Sequence, residues 1–260
     1  MKLATLNNNS IDGKLVVVSK DLKFCTSVQH FSPTMQYALD NWEKISKRLN
    51  KTYYKLNNNK VKKNIFDQSK ALSPLPRAYQ WADGSAYVNH VSLVRQARGA
   101  KLPDSFWENP LIYQGGSDDF TSPRSPITVQ DEKFGIDFEA EVAVISDYVS
   151  MGSNLNTIDK KILLVMLAND VSLRNLIPDE IDKGFGFFQS KPSTSFSPVA
   201  VTIDELGDSW SKSKLFQTIR VDLNNKAFGR AETGIDMTFS FRDLIFHASK
   251  TRNLRAGSII

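Results

Sequence analysis

The sequence predicts a β-rich α+β protein in which a small α/β domain precedes a larger mixed domain. Three observations support this prediction. Residues 1–25 contain short β-branched runs, residues 34–56 have helical periodicity, and after residue 76 many short β-like segments alternate with Gly, Pro, Asn and Asp turns. At 260 residues the chain is long enough for one large domain with a smaller appendage.

In the N-terminal part, the run LVVVS at 15–19 predicts a strand, and Asp12-Gly13 before it is a hairpin signal. From residue 34 to 56 apolar residues recur at three- and four-residue spacing, which predicts a helix that begins near Ser32-Pro33. Its apolar residues are Met35, Ala38, Leu39, Trp42, Ile45 and Leu49. Two prolines in LSPLP at 72–76 stop helices and strand ladders. We therefore predict an N-terminal domain over 1–71 and a main domain over 72–260.

In the main domain, alternating or compact apolar runs predict strands at 136–146, 198–203 and 216–223. The apolar run within 158–168 predicts a helix from Ile158 to Ala168. The last segment, LRAGSII at 254–260, is typical of a turn that leads into a new strand. We expect that strand to be cut off, because domains seldom stop on an unpaired apolar edge. The C-terminal strands are then missing from this sequence.

Composition narrows the class of protein. The single cysteine, Cys25, excludes an internal disulfide framework and favours a reducing cytoplasm. No apolar run approaches the roughly 20 residues that span a bilayer, so we expect no membrane partner. The net charge of +5 comes largely from the basic stretch at 44–63. Because no nucleic-acid motif accompanies that stretch, it favours a lysine-rich surface over a nucleic-acid site.

The most informative segment is IDFEAEVAVI at 136–145. Strand alternation would place Asp137, Glu139 and Glu141 on one face, with successive side chains roughly 6.5–7 Å apart. The opposite face would hold Ile136, Phe138, Ala140, Val142 and Val144. Carboxylates that close repel one another, and water, raised pKa values or a hard divalent cation would relieve the repulsion. A solvated acidic face and a cation site are both open on this pattern.

Upstream, Asp83 and His90 flank a glycine turn and would suit a metal ligand and a general base. A turn aspartate and a hydrogen-bonded histidine fit the same pattern. Arg95 and Arg98 would bind a substrate carboxylate or form the exposed face of a helix. Tyr113 precedes Gly115-Gly116 and is a candidate hydrogen-bond donor beside a close backbone approach.

Downstream, Asp170 follows an apolar segment, where it would either cap that segment or complete a hard-cation site with the two glutamates. Aromatic and glycine residues then frame Gln189, Lys191 and Thr194. That pattern indicates a pocket wall or, alternatively, an aromatic core hairpin with a surface lysine.

Taken in order, DFEAE at 137–141, NDVSLR at 169–174 and KPSTSFSP at 191–198 resemble the fumarylacetoacetate hydrolase family. The stretch LSPLPRAYQWADGSAYVNHVSLVRQARGA at 72–100 is similar to the bacterial branch that has its own N-terminal domain. The resemblance implies a β-rich roll, a homodimer and a divalent cation, Mg²⁺ or alternatively Mn²⁺ or Ca²⁺. It also implies cleavage of a C–C bond in a 1,3-diketo acid such as fumarylacetoacetate or an acylpyruvate.

Carried over residue by residue, the resemblance implies roles for eight side chains. The implied metal ligands are Asp83, Glu139, Glu141 and Asp170. His90 corresponds to the general base that activates water, and Lys191 to the lysine that stabilises the leaving carbanion. Tyr113 and one of Arg95 or Arg98 correspond to substrate-contacting positions.

Two departures from the family pattern leave alternatives open. Ile177 stands where the family often has a substrate-binding glutamine, and the chain ends before a Gly-Ser-Gly-Thr strand that the family continues into. Decarboxylases, hydratases and isomerases of the family use the same metal cage. A truncated, catalytically silent metal-binding derivative is the alternative outside the enzymes.

Overall fold

The structure is a computed structural model that describes residues 1–97, 99 and 102–260. Its first elements are β1 (Lys2–Leu6), β2 (Lys14–Val18), β3 (Phe24–Ser27), α1 (Met35–Asp40), α2 (Trp42–Asn57), β4 (Asn64–Ile65), β5 (Trp81–Gly84), α3 (Val88–Ala97) and β6 (Ile112–Gly115). The later elements are β7 (Ile136–Asp137), β8 (Ala140–Ser146), α4 (Leu155–Ile158), β9 (Ile162–Asn169), β10 (Ser172–Leu173), α5 (Ile177–Asp182), β11 (Ser195–Phe196), β12 (Ala200–Thr202), β13 (Trp210–Ser211), β14 (Lys214–Leu215), β15 (Thr218–Leu223), β16 (Lys226–Glu232) and α6 (Phe241–Ala248).

The main sheet has eight strands in the order β11-β9-β12-β1-β2-β3-β4, and β8 also pairs with β9. Strand β9 is the centre of this arrangement. It is antiparallel to β8 over its whole length, and it pairs with β11 and β12 along its other edge. Strand β12 in turn pairs with β1, so the N-terminal strands extend the same sheet. The mixed, β-rich fold class predicted from the sequence is confirmed.

The helix predicted from Ile158 to Ala168 is wrong, because Ile162–Asn169 is strand β9. Leu164, Met166 and Ala168 enter one hydrophobic cluster, whereas Ile162 and Val165 enter a second. A strand covered on both faces needs apolar residues at consecutive positions, so it loses its period of two. Such a run cannot be distinguished from a buried helix by periodicity.

The helix predicted over 34–56 is two helices, α1 and α2, separated at Asn41. Asn41 has φ −124° and ψ 30°, which interrupts the helical backbone. Thr34 is the N-cap of α1 and accepts a hydrogen bond from the Tyr37 N–H, so the start falls one residue after Ser32-Pro33. The predicted apolar face is correct, and its residues pack in the first cluster beside the N-terminal strands.

The acidic strand predicted over 136–146 changes partner halfway. Its first part, β7, pairs with β10, and its second part, β8, pairs with β9. At the change of partner, the Glu139 carbonyl accepts a hydrogen bond of 3.0 Å from the Asp170 N–H. This contact brings the acidic strand directly to the end of β9, where Asp170 lies.

The segment at the end of the chain also pairs with the main domain. Ile259 forms a parallel bridge to Trp81 and an antiparallel bridge to Ile145, which ties the β5–β6 hairpin to β8. The predicted continuation of strands past Ile260 and the division at 71/72 both stay predictions. Among the described helices, none has the length and apolarity needed to cross a bilayer.

Candidate metal centre

Three strands bring three carboxylates together. Asp83 lies in β5, Glu141 lies in β8, and Asp170 follows the last residue of β9. Their carboxylate oxygens all lie within 4.8 Å of one another. We call these three residues the acidic triad. Asp170 is only 1% exposed, and the other two members are half-buried.

The electrostatics of the acidic triad oppose full ionisation. Burial first, and then the charge of Asp170, raise the pKa of Asp83 to about 8. Burial also raises the pKa of Glu141 well above its usual value, and the neighbouring Asp83, Asp170 and Glu139 raise it further. Carboxylates share so small a space only when protons or a cation reduce their repulsion.

Tyr113 lies between two members of the acidic triad. It is directly opposite Asp83 in the β5–β6 pair, where Gly115 lets the hairpin close on Trp81. The Tyr113 hydroxyl is 2.7 Å from Asp83 Oδ2 and 2.6 Å from Asp170 Oδ2. The Tyr113 hydroxyl has one hydrogen, so it can donate to only one of the two carboxyl groups. In the other contact, the carboxyl group must be protonated and donate to the Tyr113 oxygen. The geometry therefore agrees with the raised pKa of Asp83.

Lys191 contacts the acidic triad directly. Its Nζ lies 2.6 Å from Asp170 Oδ2, 2.8 Å from Glu139 Oε2 and 2.8 Å from Ser172 Oγ. These contacts use all three ammonium hydrogens of a side chain that is 7% exposed. Burial alone would lower the pKa of Lys191, but Asp170 and Glu139 outweigh it and raise the pKa.

The remaining strand carboxylates are paired with cations. Arg174 donates from Nε to Asp137 Oδ2 over 2.7 Å, and its Nη1 lies 2.6 Å from Glu139 Oε1. Glu139 therefore contacts Arg174 with one oxygen and Lys191 with the other. Glu139 is not a member of the acidic triad, although the family resemblance implies that it is a ligand. Its ligand role stays a prediction.

The other predicted site residues lie on α3 or outside the described chain. His90 is exposed on α3. Arg95, also on α3, lies with its guanidinium 5.2 Å from the ring centroid of Phe106. Arg98 lies outside the described residues, so its predicted substrate contact stays a prediction.

Three contributors to the site were missed or only partly anticipated from the sequence. Thr194, expected merely as a pocket wall, donates to Asp170 Oδ1 over 3.0 Å. Ser172 accepts from Lys191, and Arg174 joins Asp137 to Glu139. Ser172 and Arg174 follow Asp170 at two- and four-residue spacing, which was the available signal. Only the pairing of β10 with β7 shows that they face the acidic strand.

The oxygen atoms of the acidic triad determine which ion it can bind. Carboxylate oxygens are the ligands that Mg²⁺, Mn²⁺ and Ca²⁺ prefer. Three of them converge here, and burial together with the neighbouring carboxylates raises the pKa values of Asp83 and Glu141. The residues of the acidic triad therefore fit a hard divalent cation, with Lys191 beside it.

Solved structures with this fold include several enzymes. A maleylpyruvate hydrolase from Sphingobium sp. SYK-6, in complex with manganese(II) and pyruvate, matches with a TM-score of 0.71 at 14% identity, over 100% of this chain and 87% of that one. A fumarylacetoacetate hydrolase from Exiguobacterium antarcticum matches with a TM-score of 0.71 at 15% identity, over 100% and 85%. A 5-carboxymethyl-2-hydroxymuconate delta-isomerase from Mycobacterium smegmatis matches with a TM-score of 0.65 at 16% identity, over 100% and 86%. At these identities the likeness shows the fold.

Family models give the assignment. Residues 1–77 match the fumarylacetoacetase N-terminal domain 2, and residues 80–260 match the fumarylacetoacetate hydrolase C-terminal model. Comparison with curated proteins finds no significant match. Because the second model alone covers most of the chain, this protein belongs to the fumarylacetoacetate hydrolase family.

Proposed function

We propose that this protein is a divalent-cation-dependent hydrolase that cleaves a C–C bond in a 1,3-diketo acid such as fumarylacetoacetate or an acylpyruvate. The observation that supports this most is the acidic triad, whose oxygens lie within 4.8 Å of one another beside the buried ammonium of Lys191. Membership of the family supports the same reaction class.

The cation of this proposal is Mg²⁺, with Mn²⁺ or Ca²⁺ as alternatives. Asp83, Glu141 and Asp170 would hold it, and Glu139 would join them by exchanging its contact with Lys191. When bound, a divalent cation at this position polarises a substrate carbonyl as a Lewis acid. The manganese in the Sphingobium hydrolase supports a divalent ion in this fold.

The chain's own residues would complete the reaction. Lys191 holds three ammonium hydrogens beside the acidic triad and would donate one to the enolate oxygen that develops on C–C cleavage. His90 would remove the proton of the attacking water. Tyr113 and one of Arg95 or Arg98 would orient the substrate.

Two properties of the whole protein belong to the proposal. A buried single cysteine, Cys25, fits the cytoplasm. A homodimer would cover apolar side chains that are now exposed around the acidic strand, including Ile136, Leu167 and Phe228. Light scattering during size exclusion checks this, and a monomer at micromolar concentration would contradict it.

The test of the function is an assay on purified protein. Loss of diketo-acid absorbance should depend on Mg²⁺ or Mn²⁺ and should fall at least about 100-fold in Glu141→Ala. The matched control is Asp179→Asn, which changes an exposed carboxylate on α5 and should keep full activity.

Two outcomes would contradict the proposal. Unchanged activity in Glu141→Ala would refute the metal mechanism. Cation binding without cleavage of any diketo acid would refute the proposed hydrolase activity. If the substrates were converted without C–C cleavage, product analysis would instead identify a decarboxylase, hydratase or isomerase.

A further inference from the structure

We infer that Glu180 is a positioning residue that holds Lys191 against the acidic triad. This inference deepens the proposed function and rests on it for the catalytic role of Lys191. Its structural part, the dependence of Lys191 on Glu180, stands on hydrogen bonds alone.

Glu180 lies on α5 and binds the turn that precedes Lys191. Its Oε1 accepts from the Gln189 N–H over 2.7 Å, and its Oε2 accepts from the N–H groups of Phe188 and Ser190, each over 3.1 Å. The Ser190 hydroxyl also donates to Oε2. One carboxylate thus satisfies three consecutive backbone donors and one side chain.

Ser190 is fixed from a second direction. It is completely buried, and its carbonyl accepts a hydrogen bond of 2.8 Å from the Leu173 N–H in β10. The neighbouring residue of β10, Ser172, accepts from Lys191 Nζ. Residue 190 is therefore held between α5 and β10, and Lys191 leaves it directly toward the acidic triad.

The rest of the turn offers few alternative anchors. Gly184 and Gly186 have φ of +78° and +95°, a conformation that glycine adopts without strain. Phe185 is fully exposed and Phe188 is 86% exposed. Phe187 alone among these aromatic residues packs on the site, with its ring 5.1 Å from that of Tyr113.

The four donors explain why a carboxylate is needed at position 180. Glutamine keeps the length and shape of glutamate but has only one acceptor oxygen, and its amide would present N–H donors to backbone N–H groups. Glu180→Gln should therefore release residues 188–190 while leaving α5 intact. Burial would raise the pKa of Glu180, but the hydrogen bonds from Ser190 and the backbone outweigh it and lower that pKa.

The first readout needs no substrate. Lysines of the cation-free protein are acetylated under limiting reagent, and Lys191 is followed by peptide mass spectrometry. We expect Lys191 to react about tenfold faster in Glu180→Gln, since the loss of hydrogen bonds to a charged acceptor opens the turn. Ser190→Ala removes one of the four donors and should give a smaller increase. Asp179→Asn, on the same helix turn, should give none.

Lys214 is the internal control. Its Nζ also donates a hydrogen bond, but the acceptor is the Met237 carbonyl, which lies outside the turn at 188–190. Unchanged acetylation of Lys191 in Glu180→Gln overturns the inference. A parallel rise at Lys191 and Lys214 also overturns it, because that result is general loosening. If Glu180→Gln does not fold, Ser190→Ala and Glu180→Asp provide the same comparison.

The second readout separates positioning from binding. In the diketo-acid assay, Glu180→Gln should lower kcat about tenfold while KM and the Mn²⁺ dissociation constant stay within about twofold. Equal losses in kcat and in Mn²⁺ affinity would contradict a role through Lys191. If the wild type cleaves no diketo acid, the proposed function fails, whereas the acetylation result still decides the dependence of Lys191 on Glu180.

Discussion

Asp137 and Glu139 at one end of the acidic strand differ sharply from Glu141, which is only two residues further on. Asp137 and Glu139 meet the guanidinium of Arg174, and its hydrogen bond lowers the pKa of Asp137. Glu141 instead meets Asp83 and Asp170, and its pKa is raised by burial and by those charges. Strand alternation predicts that all three carboxylates share one face. The partners that the tertiary structure brings to each carboxylate decide its chemistry.

The two ends also differ in what they do for the fold. The paired end stabilises the native state, although its exposure to solvent limits the gain to about 1 kcal/mol per pair. The acidic triad destabilises the native state until a proton or a cation neutralises it. A ligand that binds only the native state returns that free energy as stability. This is why we assign cation binding to the end of the strand that holds Glu141.

The largest expected effect is on cation binding. Glu141→Gln removes one charge and one oxygen ligand from the acidic triad and should weaken Mn²⁺ binding at least about 100-fold, measured by titration calorimetry. Asp137→Asn, at the paired end of the same strand, should change the affinity by less than about threefold. Equal losses in both variants would remove the distinction between the two ends.

Next in size is the pH dependence of the cation-free protein. The pKa of Asp83 rises from 3.8 to about 8 on folding, so the native state keeps a proton that the unfolded state has lost. The free energy of unfolding should therefore fall as pH rises through this window, by about 1.4 kcal/mol per pH unit for one such proton. This dependence of the free energy of unfolding on pH is measured by urea unfolding at pH values between 5 and 8, which lie between the two pKa values of Asp83.

Saturating Mn²⁺ should abolish that slope, because the cation-bound native state has lost the same proton as the unfolded state. Asp83→Asn should flatten it. A cation-free stability that rises steadily from pH 5 to pH 8 would contradict the raised pKa values.

A smaller effect is expected at the paired end. Arg174→Met leaves Asp137 and Glu139 without their shared guanidinium and should lower the free energy of unfolding by about 1 kcal/mol. It also removes a positive charge near the acidic triad, so Mn²⁺ affinity should increase a few-fold, by roughly 1 kcal/mol.

The matched control is Lys161→Met. Lys161 pairs with Asp147 over 2.9 Å just beyond the opposite end of β8, and its loss should leave Mn²⁺ affinity unchanged. Weaker Mn²⁺ binding in Arg174→Met would show that Arg174 supports the site instead of competing with it.

Local patterns predicted much of the fold, and they singled out the carboxylates of the acidic triad as candidate ligands. The alternation at 136–146 correctly separated Glu141 from Val142 and Val144, because Val142 and Val144 pack in one cluster while Ala143 and Ile145 pack in the other. The place of Asp170 after an apolar segment left a cap and a cation site both open, and the family resemblance implied the cation site. The hydrogen bond of Asp170 to Glu139 across the change of strand partner was not expected.

The errors have physical causes. The sequence of β9 has no period of two, because both of its faces are covered, and its pattern therefore wrongly predicts a helix. Glu180 gave no signal, since an acidic residue early in a short helix is ordinary. Its role depends on donors eight to ten residues away that a glycine-containing turn brings back to it.

The central claim is that the acidic triad is held partly protonated until a cation binds. Calorimetric titration with Mn²⁺ at pH 7, in buffers of different ionisation enthalpy, counts the protons released. This pH lies below the pKa of about 8 for Asp83. The account predicts release of about one proton per bound cation in the wild type and clearly fewer in Asp83→Asn. Mn²⁺ binding that releases no proton, or that releases as many from Asp83→Asn as from the wild type, would contradict it.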